Sequence, residues 1–208
     1  MFDRIVVSTD SERIQEIALA YGADVPFLRP PEFATATSPD IEWIKHVLGL
    51  LEEEFESFAI LRPTSPFRQT ETIQRARRQF LESGTKIDSL RAVELCQQHP
   101  GKMWIVDGPR MAPLLDQSHL EVAWHAGQYQ ALPKVYIQNS SLEMAWTRVV
   151  WDTNSREGSA IAPFLTIENE GLSIDYEEDW FLVEHLLKIG KAQLPLIDQP
   201  PIGSTDIK

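Results

Sequence analysis

The chain has 208 residues, 43% of them hydrophobic and 24% charged, which suits one ordinary domain with a sizeable core and excludes general disorder. Its 19 basic and 31 acidic residues leave a formal charge of −12. That excludes a protein held on nucleic acid by bulk charge, but not one that grips a small anion with a few local cations. A single cysteine, Cys96, excludes an internal disulfide or a cysteine-based zinc site. No apolar run approaches the roughly 18 residues of a membrane span, and Met1-Phe2-Asp3-Arg4 lacks the pattern of a signal peptide, so a cytoplasmic setting without membrane contact is expected.

Residues 4–8 (RIVVS) predict a short buried strand, and Thr9 with Glu12 has capping-box spacing ahead of a helix over 12–21. An extended segment at 24–28 follows. A helix is predicted from Asp40, with Ile41, Ile44, Val47, Leu48 and Leu51 on one face. Residues 58–62 predict a strand, Thr70–Leu81 a helix, and 88–95 a further strand. Repeated strand–loop–helix units argue for an α/β fold with a mostly parallel sheet flanked by helices. The period is lost over about 96–160, where turn signals such as His99-Pro100-Gly101 predict an irregular β excursion, with a strand at Met103–Val106. A strand at 161–166 and a helix from Asp179 to about Lys188 complete a domain over 1–190. Residues 191–208 predict a flexible C-terminal tail.

In such a sheet, ligands sit beyond the carboxyl ends of the strands. The loop Arg62-Pro63-Thr64-Ser65-Pro66-Phe67-Arg68 presents two hydroxyls and two guanidiniums between rigid prolines. It serves either as a cradle for a carboxylate or phosphate or as the cap of the next helix. Arg29 precedes a long connection, Pro30 to Pro39, containing Thr35, Thr37 and Ser38, and it is either an anion ligand or a surface arginine. Glu177–Asp179 suit the first turn of a helix by its dipole alone, whereas Asp175 lies before that turn and is a candidate ligand for a hard divalent cation. No glycine-rich phosphate loop is present, and the five histidines show no metal-ligand spacing.

The stretches Phe2–Ser11, Leu28-Arg29-Pro30-Pro31-Glu32 and Leu61–Arg68 resemble those of the acylneuraminate cytidylyltransferases, the CMP-sialic acid synthetase family. So do Gln130-Ala131-Leu132-Pro133, Asn139, and Ile174-Asp175 followed by Glu178-Asp179. The resemblance runs from Phe2 to about Leu187 and rests on the order and spacing of several motifs. It implies a Rossmann-like nucleotide-diphosphosugar transferase fold, a homodimer joined through the excursion, and transfer of CMP from CTP to an acidic nine-carbon sugar with magnesium. It further implies that Arg29, Thr37, Ser38 and Asp40 approach the nucleotide. By the same resemblance Arg62, Thr64, Ser65, Arg68, Gln130 and Asn139 approach the sugar acid, with Asp175 holding the metal and Asp175 and Arg62 serving catalysis.

Departures from the family pattern are Arg62 in place of a common glutamine, Ser173 in place of a second aspartate, and Ala36 in place of an aspartate. Family members also open with a strand and a basic, glycine-rich, triphosphate-holding loop ahead of the segment matched by residues 2–11. On that ground the chain as given is expected to have little activity. The alternative reading is a non-catalytic or partial homologue that binds sugar or nucleotide, or a nucleotidyltransferase for a different sugar acid.

Overall fold

Alternating apolar and polar side chains build the sheet that organises the molecule. The computed structural model describes residues 2–197. Its strands are Ser57–Ile60 (β1), Ser89–Leu95 (β2), Trp104–Asp107 (β3), Arg110–Pro113 (β4), Tyr136–Trp146 (β5) and Ile161–Leu165 (β6). Its helices are Glu12–Ala20 (α1), Asp40–Leu50 (α2), Thr70–Ser83 (α3), Thr147–Thr153 (α4) and Glu177–Lys188 (α5). Four strands form one sheet in the order β1-β5-β2-β6, and β3 and β4 form a separate hairpin. Among the described residues, no helix is long and apolar enough to cross a membrane.

The α/β class holds, but the sheet is mixed rather than mostly parallel. β5 runs antiparallel to both β1 and β2, and only β2 and β6 pair in parallel. It follows that β1, β2 and β6 all point the same way, so their carboxyl ends share one edge. One face of the sheet presents Leu90, Ala92, Leu142, Met144 and Phe164 to Ala76 and Phe80 of α3. The other presents Ile60 to Ile44 of α2 and Val150 of α4. Burying an aromatic such as Phe80 or Phe164 contributes several kcal/mol, on the order of 3–5 by large-to-small truncation, so the layer against α3 is the larger contributor to stability.

Several expectations change. Residues 136–153 lie within the predicted excursion, yet they form the central strand β5 and helix α4, so the excursion closes near residue 135. Asn139-Ser140-Ser141 looks like a turn and instead lies in β5, where its register with β2 shifts between Arg91 and Val93. A bulge absorbs such residues without ending the strand. The segment 4–8 is extended but, among the described residues, joins no sheet. It makes one parallel bridge, Val6 to Asp24, with Val7 N donating to Asp24 O and Asp24 N to Ile5 O, each at 2.8 Å. The cap of α1 is Ser11, whose hydroxyl accepts from Ile14 N at 3.3 Å, while Thr9 accepts from Ser11 N. Gln69 rather than Thr70 caps α3, through a reciprocal pair with Thr72. α5 begins two residues earlier than predicted. Residues 191–197 carry no helix or strand, and the rest of the predicted tail, 198–208, lies outside the described residues.

Asp88, just before β2, fastens that strand to the approach of β6. Its carboxylate accepts from Ser159 N at 2.9 Å and Ala160 N at 3.1 Å, and pairs with Arg148 at 2.9 Å. The Ser159 and Ala160 amides, with Arg148, hold its pKa down to about 2 from 3.8. A carboxyl depressed in the folded state stabilises above its unfolded value and loses that contribution as pH falls through its folded value. Asp88→Ala is therefore expected to lower the melting temperature at neutral pH. The difference from wild type should shrink steadily as pH falls from about 4 to about 2, as read by thermal unfolding across that range.

Candidate active site

The loop that leaves β1 carries Arg62, Thr64, Ser65 and Arg68 to the carboxyl edge of the sheet. Its two prolines restrict the backbone, and Arg68 fastens it from behind. One Arg68 amine donates to Arg62 O at 2.9 Å and to the carbonyl of Ser141 in β5. Burial lowers the Arg68 pKa. The guanidinium thus holds the loop's shape, with its contacts directed to backbone. Ser65 is buried at 5% exposure, and its hydroxyl has no partner among the described residues. Thr64 faces the segment before α5. Its carbonyl accepts from Ile174 N at 2.9 Å, and its hydroxyl accepts from Ser173 Oγ at 3.0 Å.

That contact brings Asp175 to the same edge as Arg62. Asp175 is exposed, and its carboxylate accepts no hydrogen bond among the described residues. Its neighbour Asp179 is occupied differently, accepting from Asp175 N and Tyr176 N at 2.8 Å each at the start of α5. Those two amides hold the Asp179 carboxyl below its ordinary value. Asp179 thus caps α5, as its place in the first turn predicts, while the Asp175 carboxylate stays without a hydrogen bond among the described residues. Among the described residues, no group of three or more acidic, histidine or cysteine side chains is arranged to hold a metal. The oxygens offered by this segment are hard ones: the free Asp175 carboxylate and, two residues before it, the Ser173 hydroxyl bonded to Thr64. Such a set fits a magnesium ion that takes most of its ligands from phosphate and water.

Asn139 and Gln130 do not join this edge through hydrogen bonds to the Arg62–Arg68 loop. Asn139 donates to Thr166 Oγ1 at 2.9 Å and Glu94 Oε2 at 3.3 Å, and its carbonyl oxygen accepts from Ser141 N at 3.2 Å. It pins the β5 bulge. Gly171 lies hard against this cluster, where any Cβ would collide with the Glu94 carboxylate and the Asn139 amide. Gln130 is exposed in a single turn at Tyr129–Ala131 of the excursion.

The candidate nucleotide residues also separate. Pro30–Pro39 is structured, with a turn at Pro31–Phe33 and a hydroxyl network in which Ser38 meets Thr35 at 2.6 Å and donates to Glu32 O at 2.8 Å. Thr37 contacts Thr35 at 3.5 Å. Arg29 donates to Ser8 Oγ at 3.0 Å and Ser8 O at 2.6 Å, and lies over the Trp43 ring at 5.1 Å. Burial lowers its pKa, against the pull of Asp10 and Asp40.

Asp40 begins α2 and faces the predicted sugar loop. Its carboxylate accepts from Trp43 Nε1 at 2.8 Å and pairs with Arg62 at 2.5 Å and with Arg156. Burial would raise its pKa, but the Trp43 indole and the two arginines outweigh this and hold the carboxyl below its ordinary value. Arg156 also meets Glu143 at 3.3 Å and Glu157 at 3.5 Å, and both of these pair with Arg91 at 2.8 and 2.5 Å. Sequence reasoning missed Arg156, Trp43 and Glu143. Arg156 and Glu143 lay in the stretch without period, and Trp43 looked like ordinary helix.

Cations, hydroxyls and one free carboxylate gathered at the carboxyl edge of an α/β sheet define a protein built to bind small phosphate-bearing or carboxylate-bearing molecules. Among the solved structures that share this fold is CMP:2-keto-3-deoxy-manno-octonic acid synthetase complexed with CTP. It aligns with a TM-score of 0.57 at 9% identity, over 90% of this chain and 81% of its own. Another, 4-diphosphocytidyl-2C-methyl-D-erythritol synthase from Anaerococcus prevotii, gives 0.58 at 10% identity, over 90% and 82%. The fold is the one these two synthetases share.

Residues 1–149 match the family described as cytidylyltransferase, and the chain belongs to that family. A CMP-N,N'-diacetyllegionaminic acid synthase from Legionella pneumophila is 32% identical over 198 residues, covering 92% of this chain and 81% of the relative. An N-acylneuraminate cytidylyltransferase from Escherichia coli is 50% identical over 70 residues, which are 34% of this chain and 16% of that much longer protein.

Arg68 gives a test of the loop's architecture. Arg68→Ala strips a donor from two carbonyls, those of Arg62 and Ser141. The expected loss is about 1–3 kcal/mol of stability, measured by urea unfolding. A variant as stable as wild type would release Arg68 from this structural role.

Proposed function

We propose that the protein transfers the CMP group of CTP to an acidic, sialic-acid-like nine-carbon sugar and releases pyrophosphate. The observation that supports this is that the loop carrying Arg62 is tied through Thr64 to the segment carrying Ser173 and Asp175, by Ile174 N to Thr64 O and Ser173 Oγ to Thr64 Oγ1. A cation for the sugar's carboxylate and a free carboxylate for a metal-bound phosphate thus share one edge. The relatives whose names specify neuraminic, legionaminic or pseudaminic acid support the same substrate class.

In this reading a sugar hydroxyl oxygen bonds to the α-phosphorus of CTP, the bridging bond to the β-phosphate breaks, and the hydroxyl proton is lost. Arg62 orients the sugar acid by its carboxylate. Arg29 and the 37–40 segment line the approach of the nucleotide base and ribose. Magnesium, when bound through Asp175, neutralises charge on the phosphates. The rigid loop around Pro63 and Pro66 keeps Arg62 and Thr64 in fixed relation, so that catalysis rests mainly on positioning.

Pyrophosphate release from CTP in the presence of magnesium and a panel of nine-carbon sugar acids tests this. Slow turnover with at least one acid is expected, in keeping with the little activity read from the sequence, and none with any acid overturns the reading. Arg62→Gln is expected to raise the KM for the acid roughly 10- to 100-fold, the loss of one charge-assisted pair, with far less effect on the KM for CTP. Asp175→Asn is expected to lower kcat by on the order of 100-fold or more with an unchanged circular dichroism spectrum.

We also propose that the protein is a homodimer joined through the β3–β4 hairpin. Ile105, Val106 and Met111 are exposed there by 56%, 72% and 60%, an apolar surface of the kind that subunit contacts cover. Val106→Asp is expected to convert a dimer to a monomer in light scattering. A wild-type protein that is monomeric at all concentrations rules this out.

A further inference from the structure

We propose that Arg62 and Arg156 together form a carboxylate-binding fork for the sugar acid, and that Asp40 occupies this fork until the acid arrives. This deepens the sugar-acid reading of the site and rests on it.

The two guanidiniums come from separate loops, one after β1 and one after α4, and converge on the same Asp40 oxygen, Oδ2. Arg62 engages it through a single amine at 2.5 Å, and its other nitrogens donate no hydrogen bond among the described residues. Its guanidinium lies over the Trp43 ring at 5.9 Å, so its plane is held while its edge stays available. The Arg156 Nη1 that meets Asp40 also meets Glu143 at 3.3 Å, its Nε meets Glu157 at 3.5 Å, and its side chain is only 20% exposed. Both guanidiniums offer a donor to one carboxylate oxygen, and the Arg62 nitrogens that donate to nothing among the described residues leave a donor for the second. Beside Arg156 and Asp40, though not reaching Arg62, lies a shallow open crevice of about 330 Å³ lined by Pro39, Asp40, Ile41, Asn154, Ser155 and Glu157 as well as Arg156. That is the lower end of the range for small-molecule sites, and it gives a sugar room to lie against the fork.

Charge balance decides how an acid enters. Arg62, Arg91 and Arg156 are matched by Asp40, Glu143 and Glu157, so a further carboxylate is accommodated only by exchange with one of those present. Asp40 is the one that can leave. Its Oδ1 already accepts from Trp43 Nε1 at 2.8 Å, and it sits in the first turn of α2, where the helix dipole favours a negative charge without help from arginine. Glu143 and Glu157 are each tied to both Arg91 and Arg156. The fork therefore selects sugars with a free carboxylate and rejects their neutral analogues.

Calorimetric titration of the full chain with N-acetylneuraminic acid and with its methyl ester tests this, with CTP as a control. The wild type is expected to bind the ester at least roughly tenfold more weakly than the acid, the loss of a charge-assisted pair. Asp40→Asn, which removes the competing charge, is expected to bind the acid several-fold more tightly. Arg156→Gln is expected to bind it at least roughly tenfold more weakly while CTP affinity stays within about twofold. Arg156→Lys keeps the charge but not the fork, and is expected to weaken acid binding in a chain whose melting temperature is that of wild type. Equal binding of acid and ester, unchanged acid affinity in both Arg156 variants, or weaker acid binding by Asp40→Asn overturns the fork and leaves the sugar-acid reading standing. Failure of every variant, Asp40→Asn included, to bind the acid removes both.

Discussion

The structure depends on β5 running against both of its neighbours. Because it lies between β1 and β2, it alone joins β1 to the β2–β6 pair. Its alternation then serves two layers at once. Leu142 and Met144 point to α3 and close the larger core, while Glu143 between them points to the opposite face and ties Arg91 and Arg156 together. A slip of one residue would carry the carboxylate into the apolar layer and the leucine into the ionic one. The register is therefore specified from both sides.

The ionic layer is half-buried, and a half-buried ion pair contributes little net stability because desolvation offsets attraction. Its value lies in placement. Alternating charges run from Arg62 through Asp40, Arg156 and Glu143 to Arg91, crossing from the loop after β1 to the middle of the sheet. Each member restricts the rotamers of the next, so the arginine nearest solvent inherits order from the strands. A chain of charge −12 repels anions at long range, yet at 0.15 M salt that field is screened beyond about 8 Å. The fixed local arrangement, rather than net charge, then governs which anion is held.

Much of the layout was legible from periodicity. α2, α3, β2, β6 and α5 lie close to where apolar spacing put them, because each buries one stripe or one face against the sheet. β5 was hidden because its first half carries Asn139, Ser140 and Ser141, turn-forming residues whose place in the strand is stabilised by Thr166, Glu94 and a bulge. No local pattern reports partners so far along the chain. The strand predicted at 4–8 failed for the converse reason. Its β-branched run is real, but pairing is a property of the neighbour, and among the described residues the segment finds only one bridge to Asp24. In the site, the rigid Arg62–Arg68 loop and Asp175 were visible as residue types after a strand and before a helix. Arg156 was not, since its place beside Asp40 comes from the return of α4 beneath the sheet.

The four arginines near the site divide by the chemistry of what they hold. Arg68 donates to two backbone carbonyls and Arg29 to the Ser8 hydroxyl and carbonyl. If either turned towards a ligand, neutral acceptors would be left without a donor, at a cost comparable to the bond gained. Arg62 and Arg156 instead hold carboxylates. A ligand carboxylate replaces an equivalent partner there, and the displaced one keeps an indole donor and a helix terminus. The exchange is nearly balanced in hydrogen bonds and charge, so small differences in shape decide it. An arginine already paired with an acid is in this way better prepared to recognise an acid than one paired with the backbone.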